Sequence, residues 1–387
     1  MTPDSDPADA TGPALALVRP LSGAMPPALG VVIVTFNAAD VILDCLESLL
    51  AATGIRLDII VVDNASTDAT TARIRDWAAG ITPYLPPQDM PFALCPAPKP
   101  VALQGAVPHV VPHVVPRVDP QFDPAQIAIT LIETGVNGGF AAGVNIGLAH
   151  LATQSAIDRF WVLNPDSAVP PGTPLAFATE PGPKAGFALM GGRVIYYDQP
   201  DMIQIDGGLL NPRTGVTGNI ALGQSHAATP PASAAALEFI TGASMVVSRA
   251  FYDRAGPMAE DYFLYYEEVD WALKRGNLPL AYCPGGIVYH RAGTAIGSPT
   301  LGRPASAFSL YFKHRARIMF MRRHRARNLP FALAYSLAKA AQLALRGYWT
   351  EARTIVQASL GLPPPRQVRA RLSPEAAERA FGSAKRR

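Results

Sequence analysis

Phe160-Trp161-Val162-Leu163-Asn164-Pro165-Asp166 is a short apolar run that stops at a polar tripeptide. Consecutive bulky apolar residues read as a buried strand, and Asn-Pro-Asp cannot continue it, because proline has no backbone donor. A carboxylate is therefore left at the carboxyl end of a core strand, which is where ligands sit in open α/β sheets. Taken alone, the tripeptide also reads as an ordinary turn, since all three residues favour turns. The neighbouring segments decide between the two.

Upstream, Gly30 to Phe36 is a β-branched run with the character of a buried parallel strand. Asn37 is expected to cap a helix whose apolar positions Val41/Ile42, Cys45/Leu46 and Leu49/Leu50 recur at helical spacing. A second strand, Leu57 to Val62, ends at Asp63, and strand, helix, strand with short connections predicts a right-handed βαβ unit. A helix runs through Trp77. From Pro83 to about Pro124 the chain is proline-rich without a helical period, and reads as a surface-loop insertion. His109 and His113 lie in its Pro-spaced repeat, which gives two histidines no convergent metal geometry. Order resumes with the strand Ile127 to Ile132 and a helix ending near Leu151. Between them, Gly138, Gly139 and Gly143 suggest close backbone approach, either to a ligand or in packing.

Downstream, residues 170–235 hold short strand candidates such as Ala188–Val194. Phe239–Val247 reads as a strand, Ser248 to Ala255 as a short helix, and the aromatic run Tyr262 to Tyr266 leads into a helix ending near Gly276. Pro279 to Val288 is a strand again, closing at His290. Lys313 to Arg327 holds many cations and no acid, and an apolar helical stretch follows from Pro330 to Leu345. That order fits either a helix on an anionic membrane surface or a domain-packing helix with a solvated basic face. The expected organisation is a disordered leader 1–28, a main domain 29–312 with the insertion at about 83–126, a helical extension 313–362 and a mobile polar tail 363–387.

At 49% hydrophobic and 16% charged residues, global disorder is excluded, and a net charge of +3 gives no case for nucleic acid. Three separated cysteines argue against a disulfide framework or a cysteine zinc site and fit a reducing, cytoplasmic setting. The acidic, Pro-rich N-terminus is no secretory signal, and no long apolar run predicts a membrane span.

Asp63 and Asp166 thus stand at two strand ends of one expected sheet, with a third acidic group, Glu267/Glu268/Asp270, after the aromatic run. Oxygen ligands at a sheet's carboxyl edge suit a divalent cation that could hold phosphates, and a separate carboxylate could serve as general base. The acids at 267–270 also suit the first turn of a helix, where they offset the macrodipole. No GxxxxGK[ST] motif, no GxGxxG after the first strand and no GxSxG elbow is present, which argues against P-loop, dinucleotide and α/β-hydrolase sites.

Val31–Asn37, Ile60–Asp68, Asn137–Asn145, Leu163–Asp166, Thr241–Ala243 and Phe263–Asp270, in this order, closely resemble the inverting glycosyltransferases of family 2. The nearest likeness is to the rhamnosyltransferase-like branch that builds bacterial surface polysaccharides, over roughly residues 29–82 and 127–325. The resemblance implies an α/β GT-A fold, Rossmann-like, with a mostly parallel sheet flanked by helices and here a C-terminal helical extension. It implies a nucleotide-sugar donor (deoxythymidine-diphospho-rhamnose at branch level), a glycan or lipid-linked saccharide acceptor, and a divalent metal, Mg²⁺ or Mn²⁺. Carried over, Thr35 and Asn37 line the nucleotide pocket, Asp63 bonds the base, and Asn145 stands near the donor. Asn164-Pro165-Asp166 takes the place of a DxD motif, with Asp166 on the metal–diphosphate and Asn164 as the first position. Gly242 and Ala243 border sugar and acceptor. Glu267-Glu268 matches a Glu-Asp pair that supplies the base, with Glu in place of Asp; Asp270 is the second candidate. His290 matches a histidine that reaches metal or diphosphate. Arg315 matches an Arg-Asn element in which Ala316 replaces Asn.

The expected activity is therefore sugar transfer with inversion, on a cytoplasmic protein peripheral to the inner face of the plasma membrane. Two other readings stay open: a non-catalytic sugar-nucleotide-binding partner in a polysaccharide assembly complex, and a nucleotidyltransferase, whose Gly-rich basic loop is missing at Thr35 to Asp40.

Overall fold

The computed structural model describes residues 26–106, 127–291 and 305–382; the leader up to 25 and the repeat with His109 and His113 lie outside them. The chain opens with β1 (Ala28–Thr35), α1 (Ile42–Leu50), β2 (Arg56–Asp63) and α2 (Thr70–Ala78). β1 and β2 pair in parallel, with Thr35 opposite Asp63. Alternation along these strands feeds both faces of the sheet. Val32, Val34, Ile60 and Val62 share one buried cluster, while Val31, Ile33, Ile59 and Val61 meet Cys45, Leu46 and Leu49 of α1 and Trp77 of α2 on the other. This two-sided burial is why the strands read as continuous apolar runs.

β3 (Leu103–Ala106) pairs in parallel with β4 (Ile127–Glu133), so part of the expected surface loop is an edge strand. Leu-Gln-Gly-Ala has no alternating apolar face to announce it; backbone pairing at the sheet's margin suffices. The loop before it is pinned by Glu47, fully buried, which accepts from Trp77 Nε1 (2.7 Å), Ala97 N (2.9 Å) and Lys99 Nζ (2.6 Å). Three donors on one carboxylate make its burial tolerable.

α3 (Phe140–Ala152) leads to β5 (Arg159–Leu163), which pairs in parallel with β1. Then come β6 (Ser167–Ala168), α4 (Thr173–Thr179), β7 (Leu189–Tyr196), β8 (Gln199–Ile205), β9 (Gly208–Leu210), β10 (Thr217–Asn219), β11 (Ser244–Ser248), α5 (Arg249–Ala255), α6 (Glu267–Leu273) and β12 (Ala281–His290). The sheet order is β3-β4-β2-β1-β5-β11-β7-β12-β6, with β8 beside β7. It is parallel from β3 to β5 and between β7 and β12, with β11 running antiparallel to β5 and β7. The α/β class and the mostly parallel sheet flanked by helices are as the sequence predicts. β11 is shorter than the expected Phe239–Val247 strand, and Phe239 forms only an isolated bridge with Gly208.

Among the described residues, five α-helices follow: α7 (Ala307–His324), α8 (Leu329–Leu345), α9 (Trp349–Leu360), α10 (Arg366–Arg369) and α11 (Pro374–Gly382). α7 runs unbroken through the expected domain boundary at 312/313, burying Tyr311, Phe312, Ala316, Arg317 and Phe320. Its many arginines conceal a core helix. The segment beyond Pro363 is not a free tail within the described residues: Val368, Ala376, Ala377 and Ala380 are buried, and Phe381 lies 5.7 Å from Phe312 between ring centres. Small alanines gave no apolar period strong enough to announce that packing.

One glycine is demanded by geometry. Gly139 has φ +89°, and an added Cβ would lie 2.3 Å from the Phe263 carbonyl oxygen. The approach lets Phe140 N donate to that oxygen at 3.0 Å. Gly139→Ala is therefore expected to lower stability by about 2 kcal/mol or more, read as a drop in the urea midpoint; an unchanged midpoint would refute the tight approach.

Candidate functional site

Because β1, β2 and β5 are parallel, their carboxyl ends gather on one edge. There Asp63, buried, accepts from Thr35 Oγ1 (2.8 Å) and Ser66 Oγ (2.6 Å) on one oxygen and from Ser66 N (2.9 Å) on the other. Asn37 does not cap α1, whose N-cap Val41 carries no side-chain bond. Asn37 sits instead at φ +53°, and its Oδ1 accepts from Thr67 N at 2.8 Å. An amide spent on the facing loop cannot also cap a helix that starts at Ile42. Together these bonds tie the 36–40 loop to the 64–68 loop.

The chain leaving β5 is drawn towards the end of β12 because β6 pairs Ser167 with His290 and Ala168 with Tyr289. Asn164 N donates to Ala243 O at 3.0 Å, which brings Gly242 and Ala243 alongside. His290 Nε2 lies 3.1 Å from Asp166 Oδ1 and 3.1 Å from Asn164 Nδ2, and its Nδ1 is 2.8 Å from Gln204 Oε1. Gln204 Oε1 can only accept, so Nδ1 carries the proton that bonds it. In that tautomer Nε2 accepts from the Asn164 amide and lies beside the Asp166 carboxylate. The Nε2 lone pair and the Asp166 carboxylate oxygen, 3.1 Å apart, are two potential ligand atoms for a cation. The spacing also suits a cation, because neighbouring ligands in an octahedral shell with bonds of about 2.1 Å stand about 3 Å apart. Among the described residues no group of three His, Cys, Asp or Glu side chains could hold a metal. Asp166 and His290 thus fit a cation that takes its remaining ligands from water and phosphate oxygens, as Mg²⁺ commonly does.

A cavity of about 360 Å³ opens against this pair, lined by Asn37, Asn64, Gly139, Asn164, Asp166 and His290 on the sheet side. Phe263, Leu264, Phe308, Arg371 and Leu372 line it from the other elements. The structure therefore brings Asn37, Asn164, Asp166 and His290 together, with Thr35 and Asp63 behind Asn37. Asn145 does not line the cavity: its amide bonds Met258 O (3.0 Å), Met258 N (2.9 Å) and Glu260 Oε1 (2.8 Å). Nor do the acids of α6.

Those acids follow a strained approach. Phe263, Tyr265 and Tyr266 have φ +67°, +69° and +71°, a conformation that side chains other than glycine adopt at a cost. The contacts that hold it are Phe140 N on Phe263 O, Tyr266 Oη on Gly215 O (2.6 Å), Tyr265 Oη with Ser309 Oγ (2.7 Å) and the Phe263–Phe312 stack at 5.1 Å. Burial, reinforced by neighbouring Glu268, raises the Glu267 carboxyl well above the ordinary carboxylate range. Burial pushes Glu268 up to about 7, against the opposing pull of backbone bonds and Lys313. Glu268 is half-buried. Asp270 behaves differently. Burial raises it, but bonds from His324 (2.8 Å), Tyr262 (2.7 Å) and Arg323 (3.0 Å) outweigh that and hold it below the usual range. Glu268 is poised to exchange a proton near neutrality; Asp270 is a locked anion. Arg315, from the same helix as Arg323, donates to the Tyr262 carbonyl at 3.2 Å.

Gln204, Asn64, Phe308, Arg371 and Leu372 were not singled out from sequence. Asn64 lies within the Ile60–Asp68 stretch without having been picked out of it; the others belong to no motif and are recognisable only once strand β8, α7 and the chain after it are placed.

The family model "Glycosyl transferase family 2" matches residues 30–114, about a fifth of the chain. That span contains Thr35, Asn37 and Asp63, but not Asp166, Glu268 or His290. No curated protein matches the chain. Among solved structures, the mannosyltransferase PcManGT from Pyrobaculum calidifontis, in complex with GDP-Man and Mn²⁺, is 16% identical, with 87% of each chain covered and a TM-score of 0.46. TarS residues 1–349 from S. aureus is 12% identical, with 92% of this chain and 91% of that one covered and a TM-score of 0.43.

Proposed function

We propose that this chain is a glycosyltransferase of the GT-A type that moves a sugar from a nucleoside-diphosphate donor to a hydroxyl acceptor with inversion. The observation that carries it is the pairing of Asp166 with His290 on the wall of one cavity, at the strand ends where phosphates are held in α/β sheets. Thr35, Asn37 and Asp63 shape the nucleoside end, and Asn164 with Gly242 and Ala243 borders the sugar. Asp166 and His290 would hold a divalent cation, which would offset charge developing on the leaving diphosphate. Glu268, its carboxyl near neutral pKa, takes the proton from the acceptor hydroxyl as that oxygen attacks the anomeric carbon. Asp270 holds α6 against α7 through Arg323 and His324. The finer choice, a rhamnose donor and a cell-surface polysaccharide acceptor, is supported by the ordered motif set alone. The test is a panel of UDP-, GDP- and dTDP-sugars with Mg²⁺ or Mn²⁺, followed by thermal shift and donor turnover. Metal-dependent turnover of one donor is expected. Binding without transfer or hydrolysis would favour the non-catalytic partner instead.

We also propose attachment to an anionic membrane surface. No described helix is long and apolar enough to cross a membrane. α8 buries Ala332, Ser336, Ala340 and Leu343, while Phe331, Tyr335, Leu337 and Leu345 are exposed, followed by Tyr348 and Trp349. Arg322, Arg325, Arg327 and Arg346 are exposed around this face, and no acid occurs between Asp270 and Glu351. Aromatic and aliphatic side chains flanked by uncompensated arginines match lipid tails beneath anionic headgroups. Replacing Leu345 and Trp349 together by Glu is expected to weaken co-sedimentation with phosphatidylglycerol vesicles at least about tenfold; unchanged binding would sink the assignment.

A further inference from the structure

We propose that the C-terminal strap 365–382 covers the donor cavity and that Arg371 binds the diphosphate of the nucleotide there. This rests on the glycosyltransferase reading above and adds to it a binding residue from outside the matched motifs. Among the described residues lining the cavity, Arg371 is the one arginine or lysine, facing a lining that also holds the carboxylates of Asp40 and Asp166. A nucleoside diphosphate brings two to three further negative charges. Asp166 and a diphosphate together outweigh the charge of a single divalent cation, so a second positive group on the cavity wall favours binding. A guanidinium meets phosphate oxygens with two parallel bonds, which an ammonium cannot do.

The strap is built to present that group. Its anchors are apolar: Val368 of α10 and Ala380 of α11 pack into the cluster of Phe263, Tyr311 and Phe312. Phe381 meets Tyr311 and Phe312 at 5.8 and 5.7 Å between ring centres. The anchoring cluster is thus the one that clamps the strained Phe263 segment. Arg371 itself is exposed, with its guanidinium 4.9 Å from the centre of the Phe308 ring, and Phe308 and Leu372 line the cavity on either side. An exposed cation–π contact is weak, on the order of 0.5–1 kcal/mol, whereas a charge-assisted bond to phosphate is stronger.

The test uses calorimetry on the full chain with Mg²⁺ and UDP, GDP and dTDP, together with the matching monophosphate of whichever diphosphate binds best. Arg371→Ala is expected to weaken that diphosphate about 10- to 100-fold and to shrink its advantage over the monophosphate. Arg371→Lys should recover part of the loss, and Arg369→Ala, on the same strap but outside the cavity lining, should change nothing. Unchanged diphosphate affinity in Arg371→Ala overturns the assignment, as does an equal loss in Arg369→Ala or an equal loss for mono- and diphosphate, since these mark a general disturbance of the strap. If the wild-type chain binds none of the three diphosphates, the glycosyltransferase reading falls and this one with it.

Discussion

Asp166→Ala is expected to reduce sugar transfer about 10²- to 10³-fold or more, the scale seen when one preorganised electrostatic contact to developing charge is removed. The loss should fall on the reaction and not on the fold. Asp166 contributes to the architecture through its carbonyl, which accepts from Arg291 N at 2.9 Å and survives the substitution. Its side chain instead faces His290 Nε2. With alanine there, a cation would keep only the imidazole as a protein ligand. Initial rates at saturating metal, set beside a urea unfolding curve, separate the two contributions. Full activity in the variant would remove the metal–diphosphate role from Asp166. A loss of activity matched by unfolding would mean that the carboxylate is structural after all.

Glu268→Gln is the second large effect, with an expected fall in kcat of about 10²- to 10⁴-fold, the usual contribution of a positioned general base. The wild-type rate carries a signature that tests the same point. A base works only when deprotonated, and Glu268 loses its proton at about 7, so kcat should rise from pH 6 to pH 8 and level off above. The variant should lose both the rate and that rise. Asp270→Asn makes the opposite comparison. It removes the charge that Arg323 and His324 share, so it should lower stability while leaving the shape of the pH profile intact. If Asp270→Asn abolished transfer in a folded protein while Glu268→Gln stayed active, the base would be Asp270.

Much of the scaffold was legible because its strands are buried on both faces. Runs such as Val31–Val34 and Ile59–Val62 cannot be mistaken for loops, and their ends locate Asp63 and Asp166 before any coordinates. What escaped had no periodic or chemical mark. β3 relies on backbone pairing, the strap on alanines, and α7 disguises its buried face among arginines, of which Arg317 is itself buried, Arg315 bonds a carbonyl and Arg323 pairs with acids. Asn37 was legible as important but for the wrong bond: its left-handed backbone and its link to Thr67 follow from a loop–loop contact 30 residues apart, which no local window contains. The distinction between Glu268 and Asp270 was equally hidden. Both are acids in the first turn of one helix, and the donors that α7 and Tyr262 bring to Asp270 separate a titrating group from a fixed anion.

The left-handed run at Phe263, Tyr265 and Tyr266 has a practical consequence for anyone trimming this protein. Its shape is sustained from outside, by Phe312 and Ser309 of α7 and, through that helix, by the far end of the chain. Cutting the polypeptide before α7 to obtain a smaller, more tractable enzyme would let the kink relax towards ordinary backbone angles and swing Glu267 and Glu268 out of register. Substitutions at exposed Leu345 and Trp349 leave that brace in place. Testing the proposed lipid contact and preserving the 263–268 geometry are therefore compatible by point substitution, and in conflict by truncation.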